Sequence, residues 1–99
     1  CCTAAAVAGS SLAATMAGAH VDPRSAGPGA RDTTRLAASG YDQWAALVRA
    51  EPKVLAHALR ELESRVADVR RALGARDDAA LRSIWESARA WRREAEPRA

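Results

Sequence analysis

Residues 52–73 read PKVLAHALRELESRVADVRRAL. Leu55, Leu59, Leu62, Val66, Val69 and Leu73 follow one another at intervals of 4, 3, 4, 3 and 4. That is an unbroken a/d seam, and only a helix gathers such a series onto one face. Pro52 suits a first helical turn, where its missing N–H costs nothing. Glu61 stands four residues before Arg65 on the outer side, in the order that supports a helix. The spacing predicts a helix over 52–73, with Gly74 as its left-handed C-terminal cap.

Working outward, Asp77 or Asp78 can open a last helix. Leu81, Ile84, Trp85, Ala88, Trp91 and Ala95 form its apolar stripe, and Pro97 closes it. The short connector predicts an antiparallel hairpin at the C-terminal end. Upstream, a short helix is expected from about Asp42, its N-cap, to the break near Pro52, carrying Trp44, Leu47 and Val48. Another is expected over about 32–39, capped by Asp32 and ended by Gly40. Residues 19–30 (AHVDPRSAGPGA) read as a loop punctuated by Asp22-Pro23 and Gly27-Pro28-Gly29. A first helix is expected from about Thr3 to Met16 or Gly18.

Composition agrees. Of 99 residues, 26 are alanine and none is phenylalanine; alanine forms helices well and fills volume poorly, and the residues that strands favour are scarce. The expectation is an all-α helical bundle, residues 1–99 forming one domain. A lone hairpin is marginal against an ordering cost of about 1–2 kcal/mol per residue, and the apolar first helix also needs cover. The chain is therefore expected to interlock with a second copy as a homodimer.

The same residues argue against several functions. Residues 1–19 carry no charge but are Ala, Gly, Ser and Thr rather than strongly apolar, so a buried helix is favoured over a membrane span. Ala17-Gly18-Ala19 resembles a signal-peptidase site, yet no basic segment precedes it. A start without Met, inside an apolar helix, reads as a chain cut from something longer. Cys1 and Cys2 are adjacent, with no further cysteine for a disulfide framework or a zinc site, which fits a reducing, cytoplasmic setting. Net charge is +3, and the one dense basic run, Arg89 to Arg93, is followed by Glu94 and Glu96; no nucleic-acid partner is expected. His20 and His57 lack metal-ligand spacing and should see solvent. No catalytic arrangement and no metal set stands out, Asp77-Asp78 reads as a helix start, and the Trp85–Trp91 stripe reads as core or interface.

One stretch asks for more than a connector. Residues 27–39 read GPGARDTTRLAAS: a glycine-bounded turn running into a helix that carries Arg31 and Arg35. Arginine presents a planar fork that matches a carboxylate with two parallel hydrogen bonds. Arg35 is thus a candidate carboxylate clamp; the alternative is an exposed arginine paired with Asp32 or another acid. Trp44, nine residues on, either walls a pocket beside it or belongs to the core.

This stretch, followed by Trp44, resembles the C-terminal helical domain of prephenate dehydrogenases. There a Gly-rich turn enters an aromatic-Arg/Lys-Asp-x-x-Arg-Ile/Leu-Ala segment followed by Ser-Asp-Pro-x-x-Trp. Gly27, Gly29, Arg31, Asp32, Thr34, Arg35, Leu36, Ala37, Ser39 and Trp44 match at their spacing. The long seamed helix, the Gly-Ala-Arg-Asp-Asp connector and the closing helix keep the family's order. The chain differs at Ala30, where an aromatic is usual, at Gly40-Tyr41-Asp42, where Asp-Pro-x is common, and near Ala5, where a histidine is frequent. The resemblance implies an oxidoreductase of tyrosine (aromatic amino acid) biosynthesis that converts prephenate, or in some relatives uses arogenate, by oxidative decarboxylation. It implies that Arg35 and Trp44 contact substrate. It implies that NAD or NADP and the catalytic histidine belong to a Rossmann domain absent from these 99 residues. This chain would then bind no cofactor and be inactive alone. The alternative is a small, non-catalytic helical self-association module.

Overall fold

The computed structural model describes residues 2–96, whose regular structure is entirely helical, with no strand among them. Five α-helices follow in order: α1 (Cys2–Gly18), α2 (Pro28–Thr34), α3 (Tyr41–Ala50), α4 (Pro52–Ala75) and α5 (Asp78–Glu94). A 3-10 turn, Arg35–Ala38, continues directly from α2. The all-α expectation therefore holds. The expected closure by Pro97 lies outside the described residues. The chain divides into two compact units, Cys1–Arg60 and Glu61–Ala99.

In the first unit α1 packs against α2, the 3-10 turn and α3. Gly9 makes this possible. It is buried, and a Cβ there would stand 3.0 Å from the Thr33 carbonyl oxygen, so only glycine lets the two backbones meet this closely. Ala6, three residues earlier on the same face, is 3% exposed. Most of the last two turns of α1 is exposed, which corrects the expectation of a buried first helix. The exposed hydroxyls there bond back to the helix's own carbonyls. Ser11 donates to the Val7 carbonyl at 2.8 Å and Thr15 to the Ser11 carbonyl at 2.9 Å.

The end of α1 is a Schellman cap. Val21 N–H donates to the Met16 carbonyl and His20 N–H to that of Ala17, with His20 left-handed at φ 60°. The chain then turns at Asp22, whose carboxylate accepts the Arg24 N–H at 2.9 Å. α2 begins earlier than the sequence suggests. Gly27, at φ 91°, is its N-cap, and Pro28 takes the first position. Asp32 therefore sits inside α2 and does not cap it. Proline's fixed φ nucleates the helix as soon as Gly27 has turned the chain. Gly40, extended rather than helix-ending, is the N-cap of α3, and Asp42 lies in its first turn instead of capping it.

α4 starts at Pro52 as expected but runs two residues past Leu73. Its cap is again a Schellman motif: Asp77 N–H donates to the Ala72 carbonyl at 2.8 Å and Arg76 N–H to that of Leu73 at 3.2 Å. The left-handed residue is Arg76, φ 55°, not Gly74. Asp77 then caps α5, accepting the Ala80 N–H at 3.1 Å, with Asp78 in the first turn and Arg92 and Arg93 in the last. Those charges complement the helix dipole at both ends. Asp68 takes Arg65 at 3.6 Å and also Arg71.

Burial is thin. Among the described residues the buried apolar side chains are Ala6, Ala45 and Ala72. In the seam, Leu55, Leu59 and Val69 are half-buried, while Leu62, Val66 and Leu73 are exposed. Trp85 and Trp91 are 68% and 72% exposed, which removes the core half of the expectation for them.

Candidate functional site

Arg35 lies where α2 tightens into the 3-10 turn, and its N–H donates to the Asp32 carbonyl. The tightening follows two threonines that both bond backward: Thr33 to the Gly29 carbonyl at 2.8 Å and Thr34 to the Ala30 carbonyl at 2.6 Å. The Arg35 side chain is exposed, and no ion pair engages it among the described residues. The pairing with Asp32 weighed from sequence is thus not made, and the guanidinium keeps its full donor set.

Trp44 occupies the second turn of α3 and is half-buried. It lines a cavity of about 560 Å³ together with Ala6, Val7 and Ser10 of α1, Ser39, Tyr41 and Val48, and Leu55 and Leu59 of α4. No charged side chain is part of this lining. The indole Nε1 is buried and has no hydrogen-bond partner among the described residues. An unpaired buried donor costs about 1–3 kcal/mol. Arg35 does not line this cavity. Trp44 therefore contributes an apolar wall with one unused donor, and Arg35 an exposed cation outside it.

The sequence reading missed Arg31. Because α2 begins at Pro28, Arg31 and Thr34 are three apart on one helical face. Both line a second cavity, about 170 Å³, against Met16 and Ala17 of α1 and Val21 of the following loop. Gly27-Pro28 was the signal: read as a helix start, not as loop, it puts Arg31 on that face.

His20 and His57 are exposed, as expected. Among the described residues no three His, Cys, Asp or Glu side chains come together as a metal site. Among the described residues no helix is long and apolar enough to cross a membrane. No family model, no curated protein and no solved structure matches this chain.

Proposed function

We propose that this chain is the dimerising, substrate-completing helical domain of a prephenate or arogenate dehydrogenase. The observation that carries the reading is Arg35: an exposed guanidinium with no acid bound to it among the described residues, at the motif position where the family grips a substrate carboxylate. Prephenate is a dicarboxylate, and holding one carboxylate in a bidentate pair orients the ring for the chemical step. Trp44 supplies an apolar wall of the neighbouring cavity, which Arg35 does not line. The described residues contain no strand leading into a Gly-rich turn. In this reading NAD or NADP, which accepts the hydride when bound, sits on a Rossmann domain that also supplies the catalytic histidine. The chain contributes no catalytic residue and is inactive alone. α4 and α5 pack as an antiparallel hairpin, and a second copy covers their open apolar faces. The parent enzyme acts in tyrosine biosynthesis, in the cytoplasm.

The test is Arg35→Ala in the chain joined to a prephenate dehydrogenase's cofactor domain. Loss of a charge-assisted pair should raise KM for prephenate by about tenfold or more, with the dimer intact. An unchanged KM removes the clamp.

A second reading, a non-catalytic self-association module, is favoured by the exposure of Leu62, Val66, Leu73, Trp85 and Trp91. A dimer whose spectra and stability ignore prephenate supports it.

A further inference from the structure

We propose that the cavity between α1, the loop after it and α2 binds a small carboxylate carrying an apolar tail about the size of one ring. It shares no residue with the cavity around Trp44, and it stands or falls independently of the dehydrogenase reading.

The walls supply the tail's environment. Met16 and Ala17 come from α1, Val21 and Pro23 from the loop, Ala30 from α2. The volume is about 170 Å³, and an apolar cavity of about 150 Å³ holds a benzene ring. The polar groups at the wall select the charge. Thr34 is one, but its hydroxyl already donates to the Ala30 carbonyl at 2.6 Å. Arg31 is the other, exposed and without an ion pair among the described residues. The nearby backbone donors are used within the α1 cap, where His20 N–H and Val21 N–H bond to Ala17 and Met16. Asp22, the acid of the adjoining loop, is turned to the Arg24 N–H at 2.9 Å, and Asp32 makes no pair with Arg31. What remains is Arg31, the one charged residue in the lining of an apolar hollow. That pattern, mostly apolar with one convergent polar group, fixes a ligand's orientation by its charged end. A fork of two parallel N–H groups matches a carboxylate.

The experiment titrates the purified protein with benzoate, with the neutral isostere benzamide and with acetate, reading the methyl resonances of Met16 and Val21. Benzoate should shift both saturably, benzamide should bind about tenfold more weakly, and acetate should leave them unmoved. Arg31→Gln should bring benzoate down to the level of benzamide. Ala17→Leu should fill the cavity and abolish both. Equal binding of benzoate and benzamide by the unaltered protein overturns the proposal, as does an absence of any shift at Met16. If Ala17→Leu fails to fold, Arg31→Gln decides alone, since that side chain is exposed and engages no other group.

Discussion

At the scale of single residues, the two left-handed positions held by non-glycine residues among those described are the clearest signs of local compromise. His20 and Arg76 occupy the C′ sites of α1 and α4, at φ 60° and 55°. Both lie two residues after a glycine, Gly18 and Gly74, that sits inside the helix instead. A Cβ in this conformation costs about 1 kcal/mol, and a helical glycine costs about as much relative to alanine. Arg76→Gly and Gly74→Ala should therefore each stabilise the protein by up to about 1 kcal/mol. A Cβ at Gly74 meets nothing within 4 Å. Urea denaturation checks this, and a lowered midpoint for Gly74→Ala would show that the glycine has a packing role.

At the scale of elements, the approach of α1 to α2 depends on one missing side chain. With the Thr33 carbonyl 3.0 Å from where a Cβ would stand, Gly9→Val must push two backbones apart. A loss of about 2 kcal/mol is expected, read as a lower thermal midpoint. Asp77 is the other element-level determinant. Its carboxylate satisfies the Ala80 N–H at the start of α5, so Asp77→Ala should cost about 1 kcal/mol, while Asp77→Asn, which keeps the acceptor, should cost far less. Equal losses for the two would mean that charge, not capping, is what matters there. The exposed ion pairs Arg82–Asp78 at 3.5 Å and Arg89–Glu86 at 3.7 Å contribute little beside this, because water screens them.

At the scale of the whole molecule, the described side chains leave the apolar faces of α4 and α5 open. Val66 and Trp85 are both mostly exposed, and exposed apolar surface of this kind is the ordinary mark of an association site. Val66→Glu or Trp85→Glu should shift the protein toward monomer in sedimentation, because a carboxylate resists burial without a partner. An unchanged mass for both variants would exclude these faces from the interface.

The helices themselves were legible in the chain: the 4-3-4-3-4 seam of α4, proline at its start and the aspartate before α5 are local signals, acting over one or two turns. The motif residues Arg35 and Trp44 were legible as types in a spacing. Glycine misled where two local rules compete, since Gly18 and Gly74 lie near helix ends without being the cap, and Gly27-Pro28 starts a helix that reads as a loop. Which cavity each side chain lines was decided only in three dimensions. Arg31 faces the end of α1 and Trp44 faces its middle because Gly9 lets α2 dock against that helix, a contact between residues 24 positions apart. A periodic pattern names the apolar face of a helix; what covers that face is a property of the packing, and in this chain much of it is left open.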